Sequence, residues 1–279
     1  MKKVRALCGF PETRLFWEKH QPVSSVPTFP KIPVWIALVF STIACASAQS
    51  TPETLLLEAR TAEAKFDVKQ ALDLYLAADR IQPDNPATLQ KIAQQLSDLS
   101  LSNPDDAAKK RIAEKALTYA LRAAALQPDK AVNALSLAIC HGKMGVYSDT
   151  RTKIKYSRLV KLEAERALAL DPNYDWAHHV LGRWHYEVAS LAGATRLFIR
   201  FVYGGLPAAT LKDAVIHLER AVSLAPNRVP HRLELGFAYL AAGRKDDART
   251  SFTKGLELPS VELYDEPAKE RARAALAKL

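Results

Sequence analysis

The chain repeats a short phrase in which small and apolar residues run up to a proline. It stands as Ala77-Ala78-Asp79-Arg80-Ile81-Gln82-Pro83 and as Arg122-Ala123-Ala124-Ala125-Leu126-Gln127-Pro128. It returns as Arg166-Ala167-Leu168-Ala169-Leu170-Asp171-Pro172 and Arg220-Ala221-Val222-Ser223-Leu224-Ala225-Pro226, with a worn copy at Lys254-Gly255-Leu256-Glu257-Leu258-Pro259. Proline lacks the amide hydrogen and clashes with the turn before it, so each phrase reads as a helix that stops at a set place. Recurrence at about 20–50 residues marks a solenoid, in which each unit buries its apolar flank only against its neighbours. Such an array offers a long surface for binding rather than a pocket for covalent chemistry.

The last unit shows what is repeated. After Pro226 come Leu235-Gly236, Tyr239, Gly243, Ala248, Phe252 and Pro259. These offsets match the tetratricopeptide pattern of two helices joined by a turn. Gly236 and Ala248 are small, which lets the paired helices approach. Tyr239 and Phe252 fill the gaps between units. With only 10 glycines, and with Ala, Leu, Lys, Arg and Glu abundant, the composition favours helix. Strict apolar–polar alternation is scarce, which argues against a large sheet. The expected fold is all-α: a tetratricopeptide-like solenoid of helical hairpins over residues 49–279, with enlarged middle repeats and a C-terminal capping helix.

The enlargement is read from the proline spacing. Pro83, Pro128, Pro172 and Pro226 are 45, 44 and 54 residues apart, against about 34 for a regular unit. The surplus is expected as insertions between paired helices, near 97–109, 146–157 and 189–209, in loops on one face. The tail from Glu266 to Leu279 reads as the cap, with Glu270, Arg271 and Arg273 outward and Ala275, Leu276 and Leu279 inward.

Residues 1–48 read as an address. Lys31 precedes the apolar run Ile32 to Phe40, which fades into Ala46-Ser47-Ala48. That is the layout of a secretory signal peptide cut after Ala48, and the competing reading is an uncleaved membrane anchor. Cys45 lacks the aliphatic residue a lipoprotein signal expects, since Thr42 stands there. The expected location is exported, periplasmic or otherwise extracytoplasmic. The net charge of +9 falls to +5 without this segment, and no block of five Lys or Arg occurs. Nucleic acid is therefore not an expected partner. Of the three cysteines only Cys140 lies in the repeats, where it reads as a small core residue.

Three stretches carry more than generic repeat signal. Lys153-Ile154-Lys155-Tyr156-Ser157-Arg158-Leu159-Val160-Lys161 is followed by His178-His179-Val180-Leu181-Gly182-Arg183-Trp184-His185-Tyr186-Glu187-Val188-Ala189. Then comes Phe201-Val202-Tyr203-Gly204-Gly205-Leu206-Pro207. In this order they resemble the regulator of microtubule dynamics protein family, in its bacterial exported branch. The resemblance is strongest in the C-terminal half. It implies a helical-repeat fold and a binding mode, without similarity to an enzyme. Animal members are linked to microtubules and organelle contacts, with phospholipid binding within the family.

The candidate binding residues form two sets. Trp176, His179, Arg183, Tyr186 and Glu187 fall on one stripe of the first helix of the third long unit, the stripe that lines the concave groove in tetratricopeptide arrays. Aromatic residues with Arg are the composition of a recognition hot spot. The alternative is that the rings pack against neighbouring helices while Arg183 pairs with an acidic residue. Lys155 and Arg158 share a helical face with Arg151, and Arg196 and Arg200 stand among Leu197, Phe198, Ile199 and Phe201. That basic and apolar mixture suits an acidic peptide, a phospholipid head group or a membrane surface. Its alternative is a solvated face, with one helix folded over the groove.

The expected function is non-catalytic: a scaffold binding a protein or peptide segment in the groove, with Arg183 and Lys155 gripping acidic groups. The alternative is phospholipid binding or transfer, with 189–209 covering an apolar pocket. No cofactor or metal is expected. His178 and His185 lie seven residues apart, about 10 Å along a helix, too far to share one zinc comfortably, and no HExxH occurs. Ser157 and Ser190 lack a glycine-framed elbow, and no phosphate-binding glycine loop is present. The best pair for an enzymatic reading is Glu187 with His185 or His179.

Overall fold

A computed structural model describes residues 50–102 and 105–279. The address segment 1–48 lies outside the described residues. Twelve helices follow one another without a strand among the described residues: α1 (Pro52–Ala64), α2 (Val68–Ile81), α3 (Pro86–Ser102), α4 (Asp106–Leu126), α5 (Ala131–Val146), α6 (Thr150–Leu170), α7 (Asp175–Ala189), α8 (Gly193–Tyr203), α9 (Leu211–Leu224), α10 (Val229–Ala241), α11 (Lys245–Glu257) and α12 (Asp265–Leu276). The hairpins are α1–α2, α3–α4, α5–α6, α7–α9 and α10–α11, with α12 as cap and α8 inserted in the fourth.

The five repeated prolines all sit in the connections after second helices. The turns they begin are tied down by the next first helix. The Asn133 amide donates to the carbonyls of Ala123 and Gln127, His178 Nε2 lies 3.1 Å from Pro172 O, and Arg232 Nε donates to Pro226 O at 2.7 Å. Four of the five second helices start on a capping side chain: Asp67, Asp105, Asp149 and Thr210 each accept an amide of the first turn. These local signals fix where helices begin and end.

The surplus in the second and third hairpins is not loop. It lengthens the helices: α3 has 17 residues and α4 21, and α5 has 16 and α6 21, against 13 in each helix of the last hairpin. Residues 150–157 continue the helical pattern without Pro or Gly, so the backbone has no reason to leave it. In the fourth hairpin the surplus is the separate helix α8, ended by Gly204 and Gly205, and the connection that follows it. Both glycines have positive φ, of 74° and 82°, and Gly205 N donates to Ile199 O in a left-handed helix terminus.

First helices from α3 onward touch the next first helix, α3 to α5 to α7 to α10 to α12. Second helices make no comparable run of contacts, so the array curves with the first helices inside. Small residues set the spacing. A Cβ on Gly236 would stand 2.5 Å from the ring of Phe252, and one on Gly182 would stand 2.7 Å from Leu218. The Gly236→Ala chain is expected to lose about 1–3 kcal/mol of stability in urea titration through overpacking, even though alanine is the better helix former by about 1 kcal/mol. Cys140 is buried beside Ser97, and burial raises its thiol pKa to about 11. The cap behaves as expected: Ala275, Leu276 and Leu279 pack on the cluster of Val229, Leu233, Ala248, Phe252 and Ala272, and Glu270, Arg271 and Arg273 are exposed.

One contact departs from a linear array. The connection between α11 and α12 runs back to earlier units: the Tyr264 hydroxyl donates to the carbonyl of Asp98 on α3 at 3.2 Å, and the Lys143 ammonium of α5 stands 5.9 Å from the Tyr264 ring centre. Burial raises the Asp98 carboxyl to about 6.

Candidate functional site

The stripe on α7 splits into a buried and an open half. At its start, Trp176 is half-buried and His179 buried. The Trp176 ring meets His179 and His231 edge-on, at centroid distances of 5.0 and 4.8 Å, and the Arg228 guanidinium lies 5.4 Å from it. His231 Nε2 is 3.0 Å from the Asp175 carboxylate, and its Nδ1 is 3.1 Å from Nδ1 of His179. A neutral His231 therefore donates from Nε2 and accepts at Nδ1, which sets His179 as the Nδ1–H donor. Burial lowers both imidazole pKa values, with His231 and Arg183 adding to the effect at His179 and Asp175 opposing it at His231. Arg228 ties Asp175 at 2.9 Å and also pairs with Glu262. Trp176 and His179 thus join α7 to α10.

The open half is a row of charges. Arg183 Nε donates to Glu187 at 2.9 Å and its Nη1 lies 3.8 Å from Glu234. Arg271 of α12 binds the same Glu234 oxygen at 3.1 Å and lies over the Phe237 ring at 4.7 Å. Half-buried Tyr186 stands beside this row, and burial and the Glu234 charge raise its hydroxyl pKa. The row ends in an open depression of about 510 Å³ between α10 and α12. Phe237, Leu240, Ala275 and Leu279 give it an apolar lining, and Lys245, Arg271 and Lys278 supply cations without an acidic residue. Sequence reasoning missed Glu234, Phe237 and Arg271. No local pattern marks them, because they join Arg183 only when α7, α10 and α12 lie side by side.

The second set of candidates lies elsewhere. Lys155 and Arg158 are on α6, a second helix, so Lys155 does not join Arg183 on the inner row. Arg158 is committed to the fold, since its guanidinium donates to the carbonyls of Tyr203 and Gly205. Arg196 is used likewise on the carbonyls of Ala189 and Leu191, at 2.8 and 3.1 Å. Arg200 is exposed. Trp184, buried, donates to Ser157 O at 2.8 Å. The three stretches singled out in the sequence therefore meet: α6, α7 and the end of α8 are clamped by Ser157, Arg158 and Trp184. The expectation that 189–209 covers an apolar pocket is not met. Helix α8 makes no extensive contact with any other helix and turns Leu197, Phe198, Phe201 and Val202 to solvent.

The remaining histidines of α7 pair within the fourth hairpin, between α7 and α9. His178 Nδ1 is 3.0 Å from His217 Nδ1, and His185 stacks on His217 at 5.8 Å. Among the described residues no group of three or more His, Cys, Asp or Glu side chains is placed to hold a metal ion. Glu187 bonds Arg183, while His179 pairs with His231 and His185 stacks on His217, so Glu187 is not paired with either histidine.

A family model described as regulator of microtubule dynamics protein 1-3 matches residues 55–279. Regulator of microtubule dynamics protein 1 of Bos taurus is 28% identical over 181 residues, 64% of this chain and 57% of that protein. The Mus musculus protein of the same name is 26% identical over 193 residues, 68% of this chain and 63% of that protein. The chain thus spans less than two thirds of the length of these relatives. Among solved structures, a thermophilic TPR protein of Thermus thermophilus aligns with a TM-score of 0.60 at 19% identity, covering 81% of this chain and 100% of that one. PilW, a type IV pilus biogenesis factor, aligns with a TM-score of 0.52 at 17% identity, covering 81% and 92%. Both likenesses establish the tetratricopeptide fold.

Proposed function

From the premise that this chain belongs to the regulator of microtubule dynamics protein 1-3 family and folds as a tetratricopeptide solenoid, we propose that it is a non-catalytic scaffold holding a segment of a partner protein on its inner face. The observation that carries the reading is the row Glu187, Arg183, Glu234, Arg271, which leads into the cation-rimmed apolar depression beside Phe237. A row of alternating charges orients a polar backbone and its side chains. The depression accepts one apolar side chain beside an acidic group, because burial of the first is favourable and Lys245 and Lys278 attract the second. Export, read from residues 31–48, is part of the same proposal.

Panning a random peptide-display library on the full chain tests it. Enriched peptides are expected to carry Asp or Glu next to Leu or Phe. Their affinity is expected to fall about tenfold in the Lys245→Glu/Lys278→Glu chain, about 1.4 kcal/mol. Peptides indifferent to that double reversal, or no enrichment at all, would overturn the reading.

A further inference from the structure

Helix α8 reverses the usual order of an inserted element, because its more apolar face points away from the protein. Ala194, Leu197, Phe198, Phe201 and Val202 recur at i, i+3, i+4, i+7 and i+8, which places them on one stripe of the helix. All five are exposed, and Phe201 is 79% exposed. The opposite side holds α8 in place: Ile199 is buried, Arg196 bonds the end of α7, and Arg158 bonds the carbonyls of Tyr203 and Gly205. The stripe is therefore presented by an anchored helix.

The segment that carries the stripe is cationic. From Val188 to Lys212 the chain has Arg196, Arg200 and Lys212 and no acidic residue. Helix α6, which carries the Arg158 tether, has Arg151, Lys153, Lys155, Arg158 and Lys161 between Asp149 and Glu163, again with no acidic residue. Arg151, Lys153, Lys155 and Arg200 are exposed. Two aromatic rings and two aliphatic side chains on one face, on a helix whose only charges are cations, complement a surface that is anionic outside and hydrocarbon within. A protein partner needs a shaped counter-surface, whereas Phe198 and Phe201 stand clear of any groove wall.

We infer that α8 is a membrane-docking element, which seats its Leu197, Phe198, Phe201 and Val202 stripe among the acyl chains of an anionic bilayer while Arg200, on the same helix, meets the head groups. This is independent of the inner-face reading, because α8 contributes nothing to the row on α7 and α10. Docking by α8 leaves that row free to hold a protein segment at the membrane surface.

Two measurements test it on the full chain. In flotation with vesicles of equal phosphatidylcholine and phosphatidylserine, Phe198→Ser/Phe201→Ser is expected to lower the affinity about tenfold or more. Arg200→Glu is expected to lower it about fivefold, and both chains keep the circular dichroism of the parent. The second measurement is local, so the apolar run at 32–40 does not register in it. A nitroxide is placed by Phe201→Cys in a chain with Cys8, Cys45 and Cys140 replaced by Ser. Its oxygen accessibility is expected to rise, and its exposure to a water-soluble relaxer to fall, with the anionic vesicles and not with pure phosphatidylcholine. A label that stays in water with the anionic vesicles would sink the inference. So would a label that becomes shielded without vesicles as the protein is concentrated, because the stripe would then join two copies of the chain.

Discussion

Replacing Phe252 with Ala is expected to lower the stability of the chain by about 3–5 kcal/mol, the usual cost of emptying a fully packed aromatic site. The Phe252 side chain is fully buried. It lies against Gly236, meets the Phe237 ring edge-on at 4.9 Å, and joins the cluster under the cap formed by Val229, Leu233, Ala248 and Ala272. Few routes exist for collapse into the void, because Gly236 offers no side chain to move. Urea titration measures the loss as a lowered midpoint. Hydrogen exchange locates it: in an array where each unit leans on its neighbours, α10 to α12 are expected to lose protection first and α1–α2 last. Phe201→Ala is the control. With that ring mostly in solvent, the midpoint should move by less than about 0.5 kcal/mol.

Acid is expected to destabilise the fold between pH 6.5 and 4, before most carboxylates titrate. Burial lowers the pKa of His141 and His217 to about 4, and it also lowers that of His179, His185 and His231. In the unfolded chain these imidazoles take up protons near their ordinary value of 6.5. The unfolded state therefore binds more protons in this window, and stability falls as the pH drops. A displaced imidazole contributes about 1.4 kcal/mol per pKa unit. Asp98, Glu163 and Glu262 act in the opposite sense, because burial raises their carboxyl pKa values. Five histidines outweigh them, and after allowance for solvent screening the net loss is on the order of 3 kcal/mol. Urea midpoints at pH 7.5, 6 and 4.5 measure it. The His141→Phe chain should show a shallower dependence, since its ring then keeps the stacking place on Tyr156, at 5.5 Å, without a proton to gain.

The elements were legible because their signals are local. Proline after each second helix and the Leu-Gly and Ala-x-x-x-Phe offsets of the last unit all act within a few residues. The lengthening of α3 to α6 was not legible as such. The proline spacing showed extra residues, but spacing alone does not distinguish a longer helix from a longer loop.

The site divides along the same line. Arg183 and Glu187 were found as a stripe because a helix repeats every 3.6 residues, and that register is written in the sequence. Their continuation through Glu234 and Arg271 was not, since it needs α7, α10 and α12 side by side. Trp176 and His179 had the right composition for a binding surface, but they are used in packing, because His231, 52 residues on, supplies a ring partner. Arg158 and Arg196 looked like free cations until the ends of α7 and α8 supplied carbonyls.

What the sequence settled by itself is the succession of helices, their pairing into hairpins and their stop points, because propensity, capping and proline act between neighbours in the chain. What only the tertiary structure decided is which faces are left over. The outward stripe of α8 and the inner row on α7 and α10 exist because curvature and two arginine tethers fix how the helices turn. The reach of Tyr264 to Asp98, 166 residues earlier, belongs to the same class. No local pattern encodes contacts over such separations, because they depend on the accumulated geometry of every hairpin in between.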